Sequence, residues 1–408
     1  MKTRRIKTIL LFLSTMPFIG IYAQSIYYVS PHASSGGDGS PATPFHIIHE
    51  AVEKARKDKN CTTIYLREGE YILDTPLVLT SADGNDSKEL IIRNYPGEKA
   101  IISSGITLDL KWEKYKNGIM RAAVKGNPVM DMLIVNGDLR SMARYPDYDK
   151  TAVRFNGTSA LATAPERVKK WKNPEGGYLH AMHSHDWGDF HYRITGKNEK
   201  GELQLEGGWQ NNRPMGIHPE NRMVENIFEE LDAPGEWYYD KQEGWLYYYP
   251  LSDENINELV FETPQLKNLI EIAGTSSHPV KNITIEGIEL TQTIRTFMEH
   301  YEPLLRSDWT IYRGGAVIFR GTEKCTLRDC YIHHVGGNGV FFDKYNRNSA
   351  VTGSYLTSIG ACAICFVGDV AGVRSPSFRY GEFVPLDKMD TAKGSQNDNH
   401  PAYCEVYD

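Results

Sequence analysis

Apolar residues recur along this chain in two rhythms. Ile47, Ile48, Ala51, Val52 and Ala55 fall at helical spacing and run into the charged stretch 56–59, which predicts one short helix. Elsewhere apolar residues come in short runs closed by turn residues: 63–66, 90–94 ahead of Tyr95-Pro96-Gly97, 100–102 ahead of Ser103-Ser104-Gly105, and 282–290. The run Tyr331-Ile332-His333-His334-Val335-Gly336-Gly337-Asn338-Gly339-Val340-Phe341-Phe342 returns as Tyr355-Leu356-Thr357-Ser358-Ile359-Gly360-Ala361-Cys362-Ala363-Ile364-Cys365-Phe366, an offset of 24 residues. Short strands with small corner residues, repeating at that period, predict an all-β right-handed parallel β-helix. A leucine-rich repeat would need a Leu ladder with Asn at a fixed position, and neither is present. The helix then caps one open end of the solenoid, covering its core and its unpaired strand edge.

Between 111 and 266 the rhythm changes. Aromatic strands alternate with turn signals, as in Tyr239-Asp240-Lys241-Gln242-Glu243-Gly244-Trp245-Leu246-Tyr247-Tyr248-Tyr249-Pro250, which reads as a hairpin in an inserted antiparallel, β-sandwich-like domain. The expected organisation is a leader over 1–23, the cap and first coils over 24–110, the inserted domain over 111–266 and further coils over 267–408. Cys404-Glu405-Val406-Tyr407-Asp408 matches Cys325-Thr326-Leu327-Arg328-Asp329, the opening of a coil, so the natural protein is expected to continue into further coils.

Lys2, Arg4, Arg5 and Lys7 precede an apolar stretch over 9–21, and Ile21-Tyr22-Ala23 ends in a small residue. This predicts a cleavable export signal, with Gln24 as the mature terminus and a secreted or periplasmic location. The stretch is too short to span a bilayer comfortably, and no later segment reads as transmembrane. A net charge of −7 and a pI near 6.0 argue against a nucleic-acid surface. The 24 Tyr and 7 Trp suit β cores and sugar stacking equally. Of six Cys, Cys362 and Cys365 have CxxC spacing but lie in an apolar run without a second pair. They read as thiols buried in the β core, not as a zinc site.

Leu133-Ile134-Val135-Asn136-Gly137 with Ala143-Arg144-Tyr145-Pro146, then Val224-Glu225-Asn226-Ile227-Phe228-Glu229-Glu230-Leu231-Asp232-Ala233-Pro234-Gly235-Glu236-Trp237-Tyr238, and the coil pattern ending in Gly368-Asp369 together resemble glycoside hydrolase family 141. That family comprises pectate-lyase-like β-helix glycosidases with an inserted β domain, and the second segment looks like the signature of its insertion. The likeness spans essentially the whole mature chain. It implies activity on plant-type or host glycans, with fucosidase and xylanase activities both represented, and full-length members extend well past residue 408.

Glycoside hydrolysis generally takes two carboxyl groups flanking the scissile bond. Residues on successive coils stack about 4.8 Å apart. Asp343 and Asp369 follow aligned strands with the same side-chain parity, so they are the candidate catalytic pair in one groove. Gly368 lets a ligand approach, and the apolar strand before Asp369 is expected to raise its pKa. The plainer alternative is an Asp that caps its own turn. In His333-His334, strand alternation turns one inward and one outward, and His334 is a candidate for a sugar hydroxyl. Arg320 and Arg374 are candidates for a uronate, with exposed ion pairing as the default. The stretch 180–191 holds His180, His183, His185, His191, Asp186, Asp189 and Trp187 without zinc-site spacing. It reads as a sugar-binding loop, with Trp187 as platform and His183 or His185 as donors, or else as packing between the two parts. No metal or cofactor is predicted, the partner is a polysaccharide or glycan, and a monomer is expected. Two other functions fit the fold: a polysaccharide lyase, for which no tight Asp/Glu cluster is visible in the coils, and a non-catalytic glycan-binding solenoid.

Overall fold

The computed structural model describes residues 24–211, 215–303, 310–374 and 385–408, so the export signal expected over 1–23 lies outside the described residues. Among these residues no helix is long and apolar enough to cross a membrane. Three sheets are built from parallel pairs. The first stacks Gln24–Val29, Cys61–Leu66, Leu90–Asn94, Ile283–Glu286, Thr326–Arg328, Ala350–Thr352 and Glu405–Tyr407 in that spatial order. The second stacks Gly69–Ile72, Ala100–Ser103, Glu289–Thr293, Tyr331–Val335 and Tyr355–Leu356. The third stacks Leu77–Leu79, Ile270–Ala273, Val317–Glu323, Val340–Arg347 and Ile364–Val367. The chain visits the three sheets in turn, and each neighbour within a sheet is the next rung. The result is a nearly all-β, β-helix-like solenoid. The 24-residue offset survives as register, with Tyr331 opposite Tyr355, Val340 opposite Ile364, and Thr326 opposite Ala350; Glu405 stacks on Ala350 in turn.

Alternate residues of each strand point into one shared core, which includes Ile64, Leu66, Ile92, Ile285, Leu327, Ile102, Leu290, Ile332, Ile272, Phe319 and Phe342. Phe319, Phe342 and Phe366 stack face to face on consecutive rungs, with ring centroids 4.5 Å apart. The helix Ile48–Lys57 buries Ile48, Ala51, Val52 and Ala55 against the start of the stack.

Left-handed residues shape the corners. Gly287, Asp329 and Gly353 have φ of 67°, 53° and 57° at the two-residue corner between the first and second sheets. Gln292, His334 and Ser358 form a second column, with φ of 60°, 49° and 51°, on the second sheet or just past its last strand. A non-glycine residue there costs about 1–2 kcal/mol, and the surrounding rungs hold it in place. This column corrects the parity expected at His333-His334. The left-handed residue interrupts strand alternation, so both imidazoles stay partly exposed, and only Val335 turns back into the core.

At Gly105 the chain leaves the stack. The strand Gly105–Thr107 pairs antiparallel with Phe261–Pro264, so exit and return lie side by side. Between them the strand pairings are antiparallel, with one isolated parallel bridge from Met142 to Trp237. The predicted hairpin is present as Trp237–Asp240 and Trp245–Tyr248, and a five-stranded sheet runs Arg144–Tyr145, Ile217–Glu225, Tyr178–His183, Asp189–Lys197, Leu203–Gly207. These strands bury their own clusters, one around Trp237, Leu246, Tyr248 and Phe261, another around Trp171, Leu179, Ile194 and Val224. The excursion joins Ala100–Ser103 of the second sheet to Ile270–Ala273 of the third, and one rung later Glu289–Thr293 of the second sheet is followed by Val317–Glu323 of the third. Ile318, Phe341 and Asp343, though all point away from the solenoid core, are nearly completely buried.

All six cysteines are free thiols. The expectation of two stacked, buried thiols holds for Cys365 alone. Cys362 is exposed, because the strand begins only at Ile364 and residue 362 lies in the bend before it.

Candidate functional site: a groove over the third sheet

Arg320 and Asp343 are register neighbours on the outer face of the third sheet. Arg320 donates from Nε to Asp343 Oδ2 at 2.7 Å and from Nη1 to Glu271 Oε1 at 2.7 Å. Arg313, from the connection that overhangs this face, donates to Asp343 Oδ1 at 2.6 Å and to the Gly368 carbonyl at 2.8 Å. Its Nε and Nη2 grip Glu302 at 2.6 and 2.7 Å. Burial works against the charge on Arg313, but Glu302 and Asp343 outweigh it and raise its pKa. Both oxygens of Asp343 are thus taken by guanidinium groups, and its side chain is 3% exposed.

Asp369 enters the same lattice from the next rung. The strand Ile364–Val367 ends two residues earlier, so Asp343 lies opposite Val367 and not opposite Asp369. Asp369 caps the short turn Val370–Gly372. Its Oδ1 accepts the Ala371 N–H at 2.9 Å, and its Oδ2 meets Lys344 Nζ at 3.1 Å and Asn399 Nδ2 at 2.9 Å. The Ala371 N–H and Lys344 hold its carboxyl below the ordinary range, the reverse of the rise expected from the apolar strand. The reason is local: donors at the turn outweigh partial burial. Arg374 faces elsewhere, pairing with Asp390 at 2.9 Å.

The histidine-rich stretch lies on the antiparallel side. His183, His185 and Trp187 sit at and within the turn between Tyr178–His183 and Asp189–Lys197. His183 is buried and stacks on Trp187 at 5.7 Å with an interplanar angle of 12°, while Trp187 remains 51% exposed. His185 lies 5.3 Å from the Trp187 ring. The paired residues His180 and His191 bring Nδ1 to Nδ1 at 2.7 Å. At the far side of His180, Nε2 lies 3.2 Å from Glu225 Oε1, close enough to pair electrostatically though poorly aligned for a hydrogen bond. His191 Nε2 lies 3.4 Å from Asp189 Oδ2. Arg295, on the connection leaving the second sheet, pairs with Glu225 and, at 2.9 Å, with Asp131. Burial pushes His180 towards its neutral form; Glu225 is buried too, yet Arg295 and His180 keep it ionised. Tyr301 lies between this cluster and the Arg313 lattice. Burial first, then the neighbouring Asp189 and Cys362, raise its phenol, and the next residue is the Glu302 held by Arg313.

His334 lies elsewhere, on the second sheet. There His333 Nε2 contacts Glu289 Oε1 at 3.0 Å, Lys99 pairs with Glu289 at 2.7 Å, and the two imidazoles meet at 2.9 Å. Glu70 and Glu262 share this face, and burial raises both carboxyls, Glu70 further so through Glu262. These acids come from distant sequence positions, which is why no acidic cluster is visible in the coils read singly. Among the described residues no group of three or more His, Cys, Asp or Glu is arranged to hold a metal ion. The structure therefore gathers Arg320, Asp343 and Asp369 in one lattice, sets His183, His185 and Trp187 on the antiparallel side, and leaves His334 apart. Glu271, Glu302, Arg313, Arg295 and Tyr301 carry no sequence motif. Glu225, like His180, His191 and Asp189, stood within a segment already singled out.

No protein-family model matches the chain. The uncharacterized protein YwoF of Bacillus subtilis (strain 168) is 34% identical over 88 residues, which is 21% of this chain and 17% of that protein. The chain thus matches about a sixth of that relative's length. A solved structure described as a glycoside hydrolase superposes with a TM-score of 0.68 at 20% identity, over 89% of this chain and 70% of that one. The fold is glycoside hydrolase-like. The structure of XylC with xylose is more distant, at a TM-score of 0.44 and 12% identity over 83% of this chain and 51% of that one.

Proposed function

We propose that the chain is an exported glycoside hydrolase of the right-handed, pectate-lyase-like β-helix type, similar to family 141, cleaving a complex polysaccharide or glycan of the fucoside or xylan kind in the groove over the third sheet. The observation that carries this reading is the lattice in which Arg313 ties Asp343, Glu302 and the rung bearing Asp369 together, on a glycoside hydrolase-like fold. Asp369, ionised and partly exposed, suits the base or nucleophile. Asp343, with both oxygens held by guanidinium groups, suits a fixed electrostatic role near a developing oxocarbenium ion. Trp187 offers a flat face to a sugar ring, with His185 beside it and His183 stacked behind. Arg320, 40% exposed, can meet an anionic substituent. Water is the only co-reactant such a reaction requires.

The test is a panel of fucosylated and xylan-type glycans, comparing the chain with its Asp369→Asn variant. The expected result is release of reducing ends, lowered at least 100-fold in the variant with its melting temperature unchanged. Products that absorb in the near ultraviolet would instead mark a lyase. Binding without turnover would mark a glycan-binding solenoid. Full activity in the variant would remove Asp369 from the chemistry.

A further inference from the structure

Two of the six thiols meet. Cys362 is exposed in the bend that leads into the strand Ile364–Val367, and Cys365 is the second residue of that strand, 7% exposed. Val340 and Phe342 pack in the solenoid core while Phe341 between them faces outward, and Cys365 lies opposite Phe341. Cys365 therefore points to the outer side of the third sheet, the side that bears Asp343. The bend brings Cys362 to it, so that the two thiols interact directly. Burial first, then this neighbour, push the Cys365 thiol up to about 12.

The backbone that presents the exposed thiol is fixed. Asn338, 4% exposed, accepts the Cys362 N–H on Oδ1 at 3.1 Å and donates from Nδ2 to the Gly314 carbonyl at 2.7 Å. The Gly339 N–H reaches the Cys362 carbonyl at 3.0 Å. Cys362 is thus tied both to the preceding rung and to the connection that carries Arg313. The other four cysteines are placed differently. Cys325 and Cys330 are 0% and 2% exposed in the core, where burial pushes both thiols up to about 12. Cys61 and Cys404 are partly buried at opposite ends of the first sheet.

An accessible thiol held against a buried one can capture a disulfide reagent and then close on its neighbour. We propose that Cys362 and Cys365 are a reversible dithiol–disulfide pair, in which Cys362 meets the oxidant, Cys365 resolves it, and the closed form clasps the bend to the strand that leads into Gly368 and Asp369. The pair holds whether or not the groove hydrolyses glycans. The co-reactant is a small disulfide of the glutathione or cystine class. The Cys362 thiolate attacks one of its sulfurs, forming a mixed disulfide and releasing one thiolate. Cys365 then attacks the Cys362 sulfur, which breaks the mixed bond, forms the Cys362–Cys365 bond and releases the second thiolate. The two cysteines lose two electrons and the reagent gains them, while the two cysteine protons end on the two released thiols. The second step is intramolecular and gains from proximity. An excess of small thiol runs both steps backwards.

Peptide mapping tests the pair. The full chain is incubated with oxidised glutathione, blocked with iodoacetamide and mapped by mass spectrometry without reduction. The segment holding Cys362 and Cys365 should lose two hydrogens and take no alkyl group, and after dithiothreitol it should take an alkyl group on each sulfur. Cys365→Ser should instead keep glutathione on Cys362. Glutathione retained on Cys362 of the parent, alkylation of both residues after oxidation, or a bridge from either to another cysteine would overturn the pair. Thermal melts test the clasp. Oxidation should raise the melting temperature of the parent by a few degrees and leave Cys365→Ser unshifted. A rise of the same size in both proteins would overturn it.

Discussion

Glu236 offers the sharpest test of the electrostatics read from this structure. It is 3% exposed in the antiparallel region, where Oε2 accepts the backbone N–H groups of Asp232 and Ala233 at 3.4 and 3.3 Å and Oε1 has no partner among the described residues. Burial, with Asp147 and Asp232 nearby, pushes its pKa from the ordinary 4.5 up to about 8. Arg144 nearby directs its guanidinium at the carbonyls of Pro146, Phe155 and Gly157. A carboxyl whose folded pKa is raised binds more protons folded than unfolded between those two values. Stability is therefore intact below about pH 4.5, falls as pH rises towards 8, and levels off above. At 1.36 kcal/mol per pH unit that interval sets a ceiling of about 5 kcal/mol, and relaxation around the charge should leave about 2–3 kcal/mol. Glu236→Gln keeps the acceptor and removes the ionisation. Thermal melts at pH 5, 6.5, 8 and 9 should show the variant near the parent at pH 5 and several degrees above it at pH 8 and 9. Parallel curves for the two proteins would refute the reasoning.

Three further outcomes follow from packing. Asp343→Asn leaves Arg313 and Arg320 facing an uncharged amide in a largely buried lattice, and urea unfolding should show a loss of about 3–5 kcal/mol; an unchanged midpoint would mean the lattice bears no structural load. Phe342→Ala opens the three-ring stack between Phe319 and Phe366, with an expected cost of about 3–5 kcal/mol in the same assay. Trp187→Ala should weaken oligosaccharide binding by about 1 kcal/mol, roughly five-fold in titration calorimetry, with little change in melting temperature. Unaltered affinity would remove the indole from the binding surface.

The solenoid was legible because its period is local. Residues 24 apart occupy equivalent places on consecutive rungs, so Tyr331 and Tyr355 or Val340 and Ile364 announce their pairing without knowledge of anything distant. The cap helix and the hairpin at 237–248 were legible for the same reason, each resting on a pattern within about twelve residues. The finer geometry was not. A single left-handed residue at His334 undid the parity argument on its strand. Donors two residues ahead of and one rung below Asp369 reversed the sense of its pKa.

The sequence by itself determined the stacked rungs and the nearness of Arg320, Asp343 and Asp369 on them, because stacking rungs converts a fixed interval along the chain into adjacency in space. Only the tertiary structure decided their partners. Arg313 and Glu302 reach them from a connection of no fixed period. The row from Asp131 through Arg295 and Glu225 to His180, His191 and Asp189 joins segments as much as 164 residues apart. Which connection lies over which sheet depends on how two separately packed cores meet, and no local pattern of apolar and polar residues records that.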